Sequence, residues 1–288
     1  ETAESRQQPF PQVSTGRRTA LAQWLVDSAN PLTARVAVNQ IWMRHFGKPL
    51  VDPVTDFGRR SKPPVQQRLL DWLSADLVEN EWKMKRIHKL IMMSRAYRMS
   101  GQVETVASDP TNEYYRFRQP LRMESQVIRD SLLRLSGQLQ ETLGGPPIDP
   151  MAQAMSLRRS FYFRQSREHQ HKFVGMFDDA NILRCYRRQE SIIPQQALTL
   201  ANSKLAFTAA SKINEKLSQD KTMKDPEFID CSFRLILGRP PTIKELEVCL
   251  ESLGRLKELT HARQDSLQRS RTNLILALIN SNDFVTIR

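Results

Sequence analysis

Residues 30–58 constrain the fold more than any other stretch, because they combine a helix pattern with clear start and stop signals. Asn30 has the type of side chain that caps a helix by accepting hydrogen bonds from its first unpaired amides, and Pro31 lacks the N–H that would need a partner there. An apolar stripe follows at spacings of three and four residues, which place it on one helix face. Its members are Val38, Ile41, Trp42 and His45. Gly47 then predicts the end of the helix.

The same periodicity recurs along most of the chain and predicts a mostly α fold. The other predicted helices are residues 16–28, 64–80, 83–93, 120–143, 191–218, 225–238 and two segments after Thr242. Thr242 and Glu245 have the spacing of a capping box, in which each side chain pairs with the other residue's backbone amide. Residues 160–164 alone have strand-like chemistry. We therefore predict an irregular multi-helix domain with long ordered loops and at most a small β-hairpin.

A Gly-Gly-Pro-Pro turn at residues 144–147 predicts a boundary between two parts of the chain. We expect an N-terminal extension or linker over residues 1–16, one helical lobe over residues 17–145 and a second over residues 146–288. Packing of the two lobes as a single domain is the alternative. No apolar run approaches the ~18 residues that a membrane-spanning helix needs, so we predict no membrane span.

The formal charge of +12 is spread over both halves of the chain, whereas nucleic-acid-binding proteins usually concentrate it on one face. The local exception is a basic cluster at residues 157–172, which contains a single acidic residue, Glu168. Candidate binding residues in and near this cluster are Arg158, Arg159, Arg164, Arg167, His169, His171, Lys172 and Arg187. The alternative interpretation is an ordinary solvated basic surface.

Cysteine and histidine spacing predicts neither haem attachment nor a metal site in this chain. No CxxC or CxxCH motif is formed by the three cysteines, Cys185, Cys231 and Cys249, and their number allows one disulfide. His169 and His171 form an HxH pair, which needs a third ligand to hold a metal ion. The flanking Arg, Gln and Lys residues oppose a cation. We therefore predict no metal and no cofactor in this chain.

Several polar residues are predicted to hold loops and helices together rather than to react. They are Asn39, Asp56, Asp178, Gln195, Gln196 and Asn202. Buried amides need hydrogen-bond partners, so such residues usually pin a neighbouring loop. Asp178 is close in sequence to three arginines, with which it forms either an internal ion network or a site for an anion. No Ser-His-Asp order, G-x-S-x-G motif or phosphate loop is present, so we predict no catalytic residue.

Motifs in a fixed order carry a resemblance to a known family. They include NPLTARVAVNQIW, SRAYRMS, RMESQVIRDSLLRLSGQL, PQQALTLANS and LGRPPTIKELE, and they extend over nearly all of residues 17–287. The chain resembles the C-terminal domain of planctomycete cytochrome-c-associated proteins, a domain of unknown function. The resemblance implies a periplasmic or extracellular protein, a sister domain in the same polypeptide, and haem c only on a partner domain. It implies no catalytic residue, and RRSKPPVQQR stands where members usually have a glycine turn and His-Pro.

Together these observations favour a non-enzymatic interaction or scaffold domain of a cell-envelope protein. Its expected partner is the sister domain or a c-type cytochrome, with residues 157–172 attracting an acidic surface. The first alternative is a hydrolase or binding protein for an extracellular anionic glycan or similar acidic polymer, based on the Arg and Asp residues at 178–188. The second alternative is nucleic-acid binding through the diffuse basic surface.

Overall fold

The computed structural model describes residues 14–58, 60–101, 109–166, 171–180, 191, 194–220, 222–259 and 266–287. Their backbone contacts group into two compact units, one with the residues up to Gln119 and the other with Pro120–Ile287. Each unit has its own hydrophobic core. The turn at Gly144 and Gly145, where the sequence predicts a boundary, lies within the second unit.

The first unit contains four α-helices in its described residues. They are α1 (Arg17–Val26), α2 (Pro31–Phe46), α3 (Gln67–Glu79) and α4 (Met84–Met93). The apolar face of α2 packs against α3 and α4, and Val38, Leu73 and Ile87 meet in the core between them. α1, by contrast, has no buried residue.

The sequence signals at both ends of α2 are confirmed. The Asn30 side chain accepts a hydrogen bond from the Leu32 amide over 3.0 Å. Gly47 has a φ of 73°, and its amide donates to the Met43 carbonyl over 2.7 Å. Glycine adopts this left-handed conformation without the steric cost that a side chain brings, so the helix ends where the sequence predicts.

The second unit contains seven α-helices, one 3-10 turn at Ser160–Tyr162 and two short strands in its described residues. The regular elements are β1 (Leu121–Arg122), α5 (Ser125–Leu135), α6 (Lys172–Met176), α7 (Pro194–Asn202), α8 (Lys204–Leu217), α9 (Asp225–Leu237), α10 (Ile243–Leu259), α11 (Ser266–Ile279) and β2 (Thr286–Ile287). The core lies where α8, α9 and α11 pack together. β1 and β2 form an antiparallel pair with Leu121 opposite Ile287. The predicted mostly α fold is therefore confirmed.

Two predicted helices are longer than the helices in the structure. The segment 120–143 contains β1 and then α5, which ends at Leu135, just before Gly137 with its left-handed φ of 75°. The segment 191–218 is divided into α7 and α8 at Ser203. The Ser203 hydroxyl accepts a hydrogen bond from the Ala206 amide over 3.0 Å and so begins a new helix.

The strand predicted for residues 160–164 is wrong. The backbone forms one 3-10 turn at Ser160–Tyr162, and Phe163 pairs with Ile148 through an isolated bridge. The Ser160 amide donates to the Asp130 carboxylate over 2.9 Å, so this amide cannot join a β-ladder. A partner thirty residues away therefore overrides the local preference of the aromatic residues for a strand.

The capping box before α10 is confirmed. The Glu245 amide donates to the Thr242 hydroxyl over 3.3 Å, and the Thr242 amide donates to the Glu245 carboxylate over 2.7 Å. The Arg239 guanidinium lowers the pKa of Glu245 to about 2 by hydrogen bonding to its carboxylate. Arg239 also donates to Asp283 over 2.6 Å, which ties the start of α10 to the segment that precedes β2.

Candidate functional site

An open groove of about 1270 Å³ runs along α5 in the second unit. The end of α9 and the segments around Phe161 and Phe284 also line it. Its apolar side chains include Met123, Val127, Leu139, Leu143, Phe161 and Leu235. Its described charged residues are Glu124, Asp130, Arg134, Glu141, Arg159 and Asp283. The described lining therefore mixes apolar and polar surface in similar amounts, and it carries four carboxylates against two guanidinium groups.

A buried arginine fixes one wall of the groove. Arg129 of α5 is only 2% exposed, and its guanidinium donates to the Arg158 carbonyl and the Ser160 hydroxyl, each over 3.1 Å. The same group donates to the Ser156 carbonyl and lies 4.7 Å from the centroid of the Phe163 ring. Burial lowers the pKa of Arg129, because desolvation penalises its charged form. These contacts hold the segment 156–163 against α5.

Asp130, the next residue of α5, lines the groove directly. Its carboxylate accepts hydrogen bonds from the Ser160 hydroxyl over 2.6 Å and from the Ser160 amide over 2.9 Å. The Nε atom of Arg159 lies 3.8 Å from this carboxylate. Ser160 is only 1% exposed, so its hydroxyl holds the wall in place and is not accessible as a nucleophile.

Arg158 of the predicted basic cluster is used within the chain. Its guanidinium lies 4.0 Å above the Tyr162 ring, where the positive charge is attracted by the aromatic face. It also donates to the backbone carbonyls of Thr142 and Gly144. Arg158 therefore braces the Gly-Gly-Pro-Pro turn.

The other predicted members of the basic cluster have different surroundings. Arg159 lines the groove, whereas Arg164 and Lys172 are exposed. Outside the described residues lie Arg167, His169 and Arg187. Of the described members, the structure brings only Arg159 into the groove.

His171 forms the start of α6. Its Nδ1 accepts a hydrogen bond from the Val174 amide over 3.3 Å, and its ring stacks on Phe163 with centroids 5.1 Å apart. Burial, together with the charge of Arg129, lowers the pKa of His171 and favours the neutral ring. Within the described parts of the chain, no three His, Cys, Asp or Glu side chains are grouped so as to hold a metal ion.

Two of the polar residues predicted to hold loops are deeply buried. Asn39 is 1% exposed, donates to the Val51 carbonyl over 3.0 Å and accepts from the Val51 amide over 2.9 Å. Gln196 is 2% exposed, accepts from Arg122 of β1 and donates to the Ser191 hydroxyl over 3.3 Å. Each side chain thus joins a helix to a segment distant in sequence.

The remaining polar candidates are less enclosed. Asp178 accepts hydrogen bonds from the amide and the hydroxyl of Ser191, both over 2.7 Å. The other three of these candidates are exposed, namely Asp56, Gln195 and Asn202. Asp178 and Gln196 thus meet at Ser191, and none of the predicted polar residues lines the groove.

Sequence reasoning missed Arg129 and Asp130, the residues that organise the groove wall. A signal was present in the apolar pattern of the helix. Ile128, Leu132 and Leu133 are at most 1% exposed, so a charged pair between them had to find partners inside the fold. The identity of the partners, above all Ser160, depends on tertiary contacts.

A histidine pair links α2 to α4 in the first unit. His45 Nε2 lies 2.8 Å from His88 Nδ1, a contact that requires a proton on one of these nitrogens and a lone pair on the other. Burial, followed by the charges of His88 and Arg118, lowers the pKa of His45.

We expect this pair to make the first unit less stable as the pH falls below ~6.5, the usual pKa of histidine. Because the pKa of His45 is lower in the folded chain, the unfolded chain takes up the proton first and acid favours unfolding. The stabilisation is complete above the unfolded pKa and is lost towards the folded pKa. The free energy of unfolding should decrease with acid more in the native chain than in His45→Gln. An equal decrease in both proteins contradicts this expectation.

Comparison with known proteins gives a family and no activity. The profile of the family described as PSD1, protein of unknown function (DUF1553), matches residues 17–253. No curated protein and no solved structure matches the chain. In the described residues, no helix has both the length and the apolar character needed to cross a membrane.

Proposed function

Since the chain belongs to the PSD1 family of proteins of unknown function, we propose a function from its geometry. The chain is a non-enzymatic interaction domain, and its groove binds an amphipathic helix of a protein partner. One observation carries this proposal. The groove presents exposed apolar side chains beside polar groups most of which already have partners within the chain.

The internal pairing of these polar groups argues against catalysis in the groove. The pairs are Asp130 with Ser160, Arg134 with Glu141, Asp283 with Arg239 and Gln126 with Asp179. A catalytic or sugar-binding site presents polar groups that converge on the ligand and fix its orientation. Here the apolar surface is the part of the groove that gains most from a ligand.

The size and openness of the groove suit a helix. Pockets for small molecules usually have ~300–1,000 Å³ and enclose most of their ligand, whereas this groove is larger and open. Val127, Leu143 and Phe161 are 43%, 80% and 73% exposed, so a docked helix would cover apolar area that now faces water. Amphipathic helices bind such grooves through side chains at i, i+3 and i+4.

The charges of the groove favour a basic partner helix only slightly. The four carboxylates of the described lining outnumber its two guanidinium groups, but three of them already lie against a guanidinium of the same chain. This preference differs from the expectation that residues 157–172 attract an acidic partner, because Arg158 is engaged internally and Arg159 lies beside Asp130. The exposed Arg164 and Lys172 offer a separate basic surface to an acidic polymer.

A sister domain of the same polypeptide or a c-type cytochrome is the partner class that the sequence motifs support. The setting would be the periplasm or the cell exterior, and haem c would belong to the partner. The groove contributes the apolar and acidic half of such an interface.

Two synthetic helical peptides with the same Leu and Trp face test the proposal. One carries Arg and Lys on the opposite face, and the other carries Glu. We expect the basic peptide to bind with a Kd about two- to fivefold lower, because exposed ion pairs contribute at most about 1 kcal/mol, and we expect its affinity to decrease as salt rises. Val127→Asp should weaken its binding about tenfold or more, because the variant places an unpaired carboxylate in the apolar contact. Fluorescence anisotropy of labelled peptides measures these affinities.

Met151→Asp is the matched control. Met151 is 93% exposed and lies outside the groove lining, so this variant should bind the basic peptide as the native chain does. The proposal fails if neither peptide binds, or if Val127→Asp and Met151→Asp bind equally well.

A further inference from the structure

A cavity in the first unit has the size and the chemistry of a small-molecule site. We propose that it binds an organic anion with one charged group and an apolar body, such as an aryl carboxylate. The cavity has a volume of about 540 Å³ and lies between α2, the start of α3 and the loop that joins them. Typical small-molecule pockets have ~300–1,000 Å³. The inference does not depend on the proposed function of the groove, which lies in the second unit.

Most of the side chains that line this cavity are apolar. They are Leu32, Val51, Phe57, Pro63, Pro64 and Leu70. Val51 and Leu70 are 4% and 1% exposed, whereas Leu32 is 40% exposed, so the lining extends from the core of the unit to its surface. An apolar body that enters the cavity removes this area from water, which provides most of the affinity.

One cation remains available to a ligand among the charged groups of the lining. These groups are Arg35 and Lys62, and the described residues of the lining include no Asp or Glu. The Arg35 guanidinium already donates to the Asp71 carboxylate over 2.7 Å and to the Pro31 carbonyl over 3.2 Å. Lys62 is exposed and pairs with none of the described carboxylates. Because the cavity is open to solvent, the charged group of a ligand can stay hydrated beside Lys62 while the apolar body is covered.

Contacts within the unit hold the loop that forms one side of the cavity. At its start, the Asn39 side chain makes two hydrogen bonds with the backbone of Val51. Further along, the Ser61 hydroxyl donates to the Asp56 carbonyl. Residues 63–64 are both proline, which restricts the backbone before α3. The cavity is therefore formed without a ligand, so that binding costs little reordering of the chain.

Three compounds with the same aromatic ring test the charge preference. They are naphthoate, naphthylmethanol and protonated naphthylmethylamine, which carry a negative, a neutral and a positive group. We expect naphthoate to bind about three- to fivefold more tightly than the alcohol, which is the range that one exposed ion pair provides, and the amine to bind most weakly. Raised salt should weaken the binding of naphthoate and leave that of the alcohol unchanged. Isothermal titration calorimetry measures these affinities.

Lys62→Met tests the role of the ammonium group, because methionine keeps an apolar side chain without the charge. This variant should bind naphthoate about three- to fivefold more weakly than the native chain and bind the alcohol equally well. Lys62→Arg should retain the preference for naphthoate. Lys85→Met is the matched control, because Lys85 is an exposed lysine on α4 of the same unit and lies outside the lining.

Leu32→Asp tests the location of the apolar body. The variant places a carboxylate in the apolar contact and should weaken naphthoate binding at least about tenfold. Position 32 lies in the first turn of α2, where a carboxylate is favoured by the helix dipole, so the variant should remain folded. Chemical shift changes of the backbone amides on titration of naphthoate locate the site independently, and we expect them at Val51 and Leu70.

Four results overturn the inference. They are a native chain that does not bind naphthoate, equal affinities for the three compounds, equal naphthoate affinities of Lys62→Met and Lys85→Met, and a Leu32→Asp variant that binds naphthoate as the native chain does. Chemical shift changes that spare Val51 and Leu70 also overturn it. None of these results affects the binding of the basic peptide to the groove, which tests the proposed function separately.

Discussion

Arg129→Met is expected to lower the free energy of unfolding of the second unit by about 3–5 kcal/mol. The variant removes a guanidinium that is 2% exposed and leaves the Ser156 and Arg158 carbonyls without their donor. It also removes the positive charge beside the Asp130 carboxylate, which is largely enclosed. A buried group that loses its partner cannot recover the interaction from water, so the cost exceeds that of a surface ion pair. Urea denaturation followed by circular dichroism measures the loss.

Arg134→Met is the matched control on the same helix. The Arg134 side chain is 69% exposed and pairs with Glu141, which is 64% exposed. Exposed ion pairs contribute about 0–1 kcal/mol, so this variant should be nearly as stable as the native chain. Arg129→Lys keeps the charge but lacks the fork that serves several acceptors, so we expect an intermediate loss. Similar stabilities of Arg129→Met and Arg134→Met contradict the central role of Arg129.

Local signals predicted most of the helices because their causes are local. Asn30 and Gly47 determine the ends of α2 through contacts within a few residues of sequence, and Thr242 does the same for α10. The prediction is less accurate where a distant contact or a single capping residue determines the local backbone structure. Ser203 begins a new helix within an apolar pattern that otherwise continues. The segment at Ser160 forms a turn and not a strand, because the Ser160 amide donates to Asp130.

The groove could not be predicted from the sequence, because its walls come from segments far apart in the chain. Val127, Phe161, Leu235 and Phe284 meet only after the second unit has folded. The helical character of α1 was predictable, but its lack of a covered face depends on where the other helices pack. From the sequence, candidate site residues can be selected only by their residue type. The character of the groove depends instead on which polar residues pair with each other in the folded chain.

Asn39→Ala is expected to lower the free energy of unfolding of the first unit by about 2–6 kcal/mol. Asn39 is 1% exposed and Val51 is 4% exposed, so water cannot replace the two hydrogen bonds between them. Each buried group left without a partner costs about 1–3 kcal/mol, and the variant leaves both the amide and the carbonyl of Val51 unpaired. Hydrogen exchange at the Val51 amide, compared with urea denaturation, measures the local and the global loss.

Asn80→Ala distinguishes this role from the ordinary loss of an amide side chain. Asn80 donates one hydrogen bond, to the Asp76 carbonyl one turn earlier in the chain, so its removal should cost about 0.5–1.5 kcal/mol. Asn39→Asp adds a test with a defined direction. Its carboxylate can accept from the Val51 amide but cannot donate to the Val51 carbonyl until it is protonated. Burial should raise the pKa of this introduced carboxyl, so its stability relative to the native chain should recover as the pH falls and be lost as the pH rises. If Asn39→Ala costs no more than Asn80→Ala, or if Asn39→Asp shows no recovery in acid, Asn39 does not hold the loop after α2 against the helix.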